Sequence, residues 1–147
     1  MAVVSVSNGT FRVEATTGRH RLTVDEGERL GGTDSGPDPF ELIAASLGAC
    51  TAIVVVDAAR ERDLRVDRVE VRVTLKFNKL CNRPGDPQLQ LVELRRLIDI
   101  RADLGPDDLE WLCARGSDCP VSRAIADGVV ITTKIAYRPG TGKSVSL

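Results

Sequence analysis

The stretch Leu42–Val56 presents apolar side chains on nearly every face of a helix, and few folds can hold such an element. Its start is written into the residues before it. Asp38 can act as N-cap, Pro39 suits the first helical position, and Glu41 stands three residues after the cap, a capping-box arrangement. A helix is expected from Pro39 to about Arg62. A helix with no polar face is buried on every side. Its first half is also small (Ala44, Ala45, Ser46, Gly48, Ala49 and Ala52), which lets another helix approach closely. A 147-residue chain has little left with which to surround it, so a second subunit is expected to supply part of the cover. The apolar stretch is 15 residues long, short of the roughly 20 that span a bilayer, so no membrane is expected.

Around this helix the chain reads as strands and turns. Val4 and Val6 alternate with Ser5 and Ser7, and Asn8-Gly9 is a hairpin signal because both residues tolerate positive φ. Phe11–Ala15 alternates again, Thr16-Thr17-Gly18 turns the chain, and Leu22–Val24 forms a third strand. Residues 26–38 are a Gly-rich polar loop. Beyond the helix, Val69, Val71, Val73, Leu75 and Phe77 line one face of a strand. Residues 78–88 read as a loop and residues 91–101 as the next strand, with Val92, Leu94, Ile98 and Ile100 on one face. Arg96 interrupts that face, marking either a bulge or a charge that meets a partner. A short helix starts at Gly105-Pro106-Asp107-Asp108 and ends at Gly116. A second runs from Cys119-Pro120 to about Asp127, Gly128 breaks it, and Val129–Tyr137 is the last strand before a polar tail from Arg138. The order βββ-α-ββ-αα-β segregates strands from helices, so the expected class is α+β with mainly antiparallel sheet, in one domain over residues 1–147.

Charge and cysteine usage narrow the functional classes. The net charge is −1 with no basic block, which excludes the clustered positive footprint of a nucleic-acid binder. The first residues lack the basic and apolar segments of a signal peptide, and four cysteines are too few for a disulfide scaffold. The expected compartment is the cytoplasm, where a disulfide tends to be catalytic or redox-sensing.

The candidate chemistry lies in sulfur. Pro120 at a first helical position makes Cys119 an N-cap, where backbone N–H groups and the helix dipole favour the thiolate. The plainer reading is a small unreactive cap. Cys50 sits in the apolar helix, where cysteine is commonly an inert core residue; reactivity there requires a nearby cation and a pocket. Glu41 is explained by the capping box, or else its carboxylate fixes an arginine near a thiol. Cys81 and Cys113 read as incidental. Cys113-x5-Cys119 is not a usual chelating pair and there is one His, so neither a metal nor a cofactor is expected.

The segment Gly36-Pro37-Asp38-Pro39-Phe40-Glu41-Leu42-Ile43-Ala44-Ala45-Ser46-Leu47-Gly48-Ala49-Cys50-Thr51 resembles the central helix of the OsmC/Ohr family, the osmotically inducible and organic hydroperoxide resistance proteins. Asp118-Cys119-Pro120-Val121-Ser122 resembles that family's second cysteine motif. The resemblance implies an OsmC-like intertwined homodimer, with antiparallel sheets around long buried central helices. It implies that Cys50 attacks an organic hydroperoxide and becomes a sulfenic acid, that Cys119 condenses with it to a disulfide, and that an external dithiol reduces the disulfide. It also implies a role for Glu41 as the helix-start carboxylate. The hydroperoxide-resistance branch carries an arginine just after the first strand. Here that turn is Asn8-Gly9-Thr10, and the arginines nearest in sequence are Arg12, Arg19 and Arg21. The alternatives are a non-catalytic dimer that binds a small apolar ligand near Cys50, and a stress-associated structural protein with idle cysteines. A peroxidase is expected to have an apolar mouth near Phe40, Leu42 and Ile43.

Overall fold

In the computed structural model, residues 1–6, 9–81 and 87–135 are described, with no description of the side chains of 79–81 and 87–89. The early Val/Ser alternation produces a three-stranded antiparallel sheet of β1 (Ala2–Val6), β2 (Val13–Thr17) and β3 (His20–Val24). Val4 pairs with Ala15 and Ala15 with Leu22; Val6 pairs with Val13 and Val13 with Val24. Paired residues share a face, so these six form one apolar surface. Val24 is buried, whereas Val4, Val6 and Leu22 stay exposed. Of the expected Asn8-Gly9 turn, Ser7 and Asn8 lie outside the described residues; Gly9 has φ 83°, the left-handed region that the turn signal anticipates.

The polar loop after β3 is organised by Asp25, which is buried. Its Oδ2 accepts hydrogen bonds from the N–H and hydroxyl of Thr33 (3.0 and 2.6 Å) and of Ser35 (3.2 and 2.9 Å). These donors, the Thr33 hydroxyl foremost, hold its carboxyl well below the usual range. The Asp25 N–H donates to the Pro37 carbonyl at 3.3 Å, tying this loop to the start of the long helix.

That helix, α1, runs Pro39–Glu61, and its capping box is closed in both directions. Asp38 Oδ1 accepts from the Glu41 N–H at 2.8 Å, and Glu41 Oε2 accepts from the Asp38 N–H at 2.9 Å. At 23 residues the helix is longer than its apolar stretch, and by length and composition alone it could cross a membrane. In this chain one stripe (Leu47, Thr51, Val55, Ala58 and Ala59) is buried. The opposite stripe is open, with Ile53 68% exposed and Ile43 and Val56 also exposed. Burial on every side is therefore not achieved within a single chain.

The buried stripe packs on a long antiparallel hairpin, β4 (Arg68–Cys81) with β5 (Pro87–Arg101). Both strands extend into the segment expected to be loop. There, Asn78 pairs with Gln90 and Cys81 with Pro87, because ladder partners override weak local propensity. Residues 82–86 lie outside the described set. Val69 pairs with Ile100, Val71 with Ile98, Val73 with Arg96 and Leu75 with Leu94, which puts Arg96 on the face that meets α1. The bulge is not at Arg96. Lys76 pairs with Glu93 and Phe77 with Leu91, which leaves Val92 as the extra residue. The bulge shifts the alternation, so Leu91 instead of Val92 continues the row of Leu94 and Arg96.

Two further helices complete the described fold, α2 (Pro106–Ser117) and α3 (Pro120–Asp127). Gly116 does not stop α2. It lies inside the helix, buried, and a Cβ placed there would stand 2.6 Å from Val55 Cγ2 and 3.3 Å from Ile98 Cδ1. Only glycine permits this approach of α2 to α1. Leu112 joins Val55, Ala58 and Ala59 in the core, flanked by Val69, Ile98, Ile100 and Trp111. Gly128 ends α3 with φ 74°. The expected last strand is absent as far as it is described: Val129–Ile135 has no strand conformation, and Val129, Val130, Ile131 and Ile135 are exposed. A strand needs ladder partners for its backbone groups, and this segment pairs with neither of the two described sheets. Residues 136–147, including the polar tail, lie outside the described set.

Candidate active site

Cys119 is fully buried at the N-cap of α3, where Pro120 at the next position starts the helix. It meets α1 at Thr51. The Thr51 Oγ1 is 3.6 Å from Cys119 Sγ, and it also donates to the Leu47 carbonyl one turn back at 2.8 Å. From β5, Arg96 reaches into the same corner. Its Nη1 donates to Thr51 Oγ1 at 2.8 Å and lies 3.9 Å from Cys119 Sγ, while Nη2 donates to the Ser117 carbonyl at 2.8 Å. One guanidinium thus ties together β5, the middle of α1, the end of α2 and the residue that starts α3.

Two opposing influences act on the Cys119 sulfur. Burial pushes its pKa up. The Ser122 N–H, the Thr51 hydroxyl, the Cys50 thiol and the Arg96 charge pull it down, and together they bring it below its ordinary value. The Ser122 N–H faces the sulfur without closing a full capping hydrogen bond. Cys50, next in sequence to Thr51, is partly buried, and its thiol is near enough to act on Cys119. Both thiols are free.

The structure brings Cys50 and Cys119 into one site and leaves Glu41 in a different setting. Glu41 is exposed at the start of α1, its carboxylate occupied by the Asp38 N–H, and among the described residues it makes no ion pair. The arginines anticipated from the sequence lie elsewhere. Arg12 pairs with Glu14 at 3.0 Å, and Arg19 and Arg21 are exposed at the β2–β3 hairpin. Sequence reasoning missed Arg96 and Thr51 as site residues. The available signal was Arg96 itself, because a cation on an apolar stripe requires polar partners. Cys113 is partly buried in α2 and Cys81 ends β4. Among the described residues no cluster of His, Cys, Asp and Glu could hold a metal ion.

A cleft of about 410 Å³ opens at Arg96 and Ser122, and neither Cys50 nor Cys119 is among its lining residues. Arg96 and Ser122, both neighbours of the Cys119 sulfur, form part of its wall, and Leu47, Leu91, Leu94 and Ile125 supply apolar lining. Phe40, Leu42 and Ile43 do not line it. Phe40 instead packs edge-on against Phe77, with ring centroids 5.0 Å apart.

An α+β fold built on a long apolar helix, with a thiol pair where that helix meets β5 and α3, defines a class of small cysteine-bearing proteins. The chain belongs to the OsmC-like protein family, whose pattern matches residues 32–134. Solved structures agree in fold. An OsmC like protein from Mycoplasma pneumoniae superposes with a TM-score of 0.70 at 15% identity, covering 86% of each chain. An organic hydroperoxide resistance protein OsmC from Legionella pneumophila gives 0.62 at 23% identity, covering 85% of this chain and 88% of that one. An organic hydroperoxide resistance protein from Elizabethkingia anophelis gives 0.63 at 19% identity, covering 84% and 86%. Among curated proteins, none matches the sequence.

Proposed function

We propose that this protein is a thiol-dependent peroxidase that reduces organic hydroperoxides through Cys50 and Cys119, with no cofactor. The observation that carries the reading is the shared site: a buried Cys119 with a lowered pKa beside Cys50, under the Arg96 guanidinium, next to an apolar cleft. The Cys50 thiolate attacks the outer peroxide oxygen. The O–O bond breaks, an S–O bond forms, the sulfur loses two electrons and the alcohol leaves after protonation. Cys119 then attacks the Cys50 sulfenic sulfur, the S–S bond forms and hydroxide leaves as water. An external dithiol opens the disulfide by exchange and is itself oxidised. The cleft's apolar lining favours an organic substrate over hydrogen peroxide.

The working unit in this reading is a cytoplasmic homodimer. Three apolar surfaces remain open in one chain: the β1–β3 face with Val4, Val6 and Leu22, the Ile43–Ile53–Val56 stripe of α1, and Val129–Ile135. A second copy is the cover this reading assigns to them.

Mass spectrometry after one equivalent of cumene hydroperoxide tests the chemistry. A Cys50–Cys119 disulfide is expected, with peroxide consumption abolished in Cys50→Ser and one turnover retained in Cys119→Ser. If both thiols stay reduced in a folded protein, the peroxidase reading fails. A non-catalytic dimer that takes a small apolar ligand into the same cleft then stands in its place.

A further inference from the structure

Arg96 contacts Thr51, Cys119 and Ser117 from β5, yet the peroxide chemistry above assigns it no atom to move. From its geometry, and resting on the peroxidase reading for its role in turnover, we infer that Arg96 and Thr51 are positioning residues that ready Cys119 to resolve the Cys50 sulfenic acid and later to leave from the disulfide.

A hydroxyl has one proton and two lone pairs. With Cys119 as a thiol, Thr51 gives that proton to the Leu47 carbonyl at 2.8 Å, and its lone pairs face Arg96 Nη1 at 2.8 Å and the Cys119 S–H at 3.6 Å. With Cys119 as a thiolate, the hydroxyl rotates and donates to sulfur. The Leu47 carbonyl keeps a partner, because Thr51 N–H lies in the regular i→i−4 ladder of α1. Arg96 stabilises both ends of this switch. Its charge lies 3.9 Å from the sulfur, and its bond to Oγ1 polarises the O–H that turns toward the thiolate. The second guanidinium arm, on the Ser117 carbonyl, fixes the chain two residues before Cys119 and so holds the sulfur in place.

Cys119 is fully buried, which suits a thiol that attacks a neighbouring sulfur more than one that meets a dissolved peroxide. In the resolving step its electron pair forms the S–S bond, and hydroxide departs from Cys50. In the reductive step the dithiol attacks, and the sulfur stabilised as thiolate is the better leaving group. The arrangement therefore assigns Cys119 the second and third steps and leaves the first to Cys50.

Three variants separate this role from simple packing. Thr51→Val keeps the shape and removes the hydroxyl; Thr51→Ser keeps the hydroxyl. Arg96→Gln removes the charge. The thiolate absorbance attributable to Cys119, taken as the difference from the matching Cys119→Ser chain, is followed against pH. The rate of disulfide formation after a pulse of cumene hydroperoxide is followed with a dimedone trap for the sulfenic acid. Thr51→Val and Arg96→Gln are expected to shift the Cys119 titration upward. They are also expected to slow disulfide formation on the order of tenfold, the usual consequence of losing a hydrogen bond to a charged group, while trapped Cys50 sulfenic acid accumulates. Thr51→Ser should behave as the unaltered chain. If Thr51→Val matches Thr51→Ser in both titration and resolution, the inference is overturned. If the unaltered chain forms neither sulfenic acid nor disulfide while the titration still shifts, the peroxidase reading has failed and the thiolate-stabilising role of the pair stands.

Discussion

Replacing Gly116 with alanine sets two well-characterised effects against each other. In an exposed helix interior the change would stabilise the protein by about 1 kcal/mol, since glycine is the poorer helix former. At Gly116 the new methyl carbon would lie 2.6 Å from Val55 Cγ2 and 3.3 Å from Ile98 Cδ1. Carbon atoms rest at about 3.5–4 Å, so the first contact is too close by about 1 Å. Val55 is fully buried and cannot swing out to solvent. Overpacking of this kind costs about 1–3 kcal/mol, and subtracting the helix gain leaves a net loss of about 0–2 kcal/mol. For a chain of this size each kcal/mol lowers Tm by about 2–4 °C. Urea unfolding at fixed protein concentration, read by the Trp111 fluorescence, measures the loss. Val55→Ala in the same background removes the obstructing methyls, so the pair should show a favourable coupling of about 0.5–3 kcal/mol in a double-mutant cycle. A Gly116→Ala protein stabilised by the full helix gain, with no coupling to Val55→Ala, would refute the close-packing argument.

Other expectations follow from single contacts. Asp25 has a carboxyl held below its unfolded value, so its contribution to stability is complete above about pH 4 and is lost as pH falls toward the lowered folded value. Asp25→Asn should therefore destabilise at neutral pH and flatten the acid limb of a stability-versus-pH curve; an unchanged limb would contradict the role given to its four Thr33 and Ser35 contacts. Asp38→Ala opens the capping box and should cost about 0.5–2 kcal/mol in thermal unfolding, without moving the Cys119 titration. Ile53→Glu puts a charge on the open stripe of α1 and should convert the proposed dimer to monomer in light scattering. An unaltered dimer would exclude that stripe from the interface.

What could be read from the sequence, and what could not, divides by the range of the forces involved. The capping box at Asp38–Glu41, the long helix and the Pro120 start of α3 rest on neighbours within four residues, and all stand where the residues implied. The α+β class and the two cysteine motifs were legible for the same reason. Arg96 read as either a bulge or a charge that meets a partner, and the bulge lies at Val92 instead, because register depends on the facing strand: Val92 is exceptional only once Lys76 and Phe77 are opposite it. Gly116 reads as a stop signal from composition and becomes a contact residue only when α1 lies across it. Arg96 and Thr51 belong to elements 45 residues apart, and nothing local distinguishes that threonine from the small residues around it.

The segment Val129–Ile135 has a consequence for how the protein comes into being. Val129, Val130, Ile131 and Ile135 are apolar and β-branched, and they are 72%, 95%, 84% and 92% exposed. Such a run, which pairs with neither described sheet, templates the addition of any strand that meets it. It also follows α1 and the β4–β5 hairpin in sequence, so it leaves the ribosome after them. A newly made copy therefore exposes this run only after those elements have emerged. For the proposed homodimer, refolding yield should depend on concentration in two opposed ways, rising with correct pairing between copies and falling with aggregation. The Lys134 charge within the run acts as a gatekeeper against the second outcome.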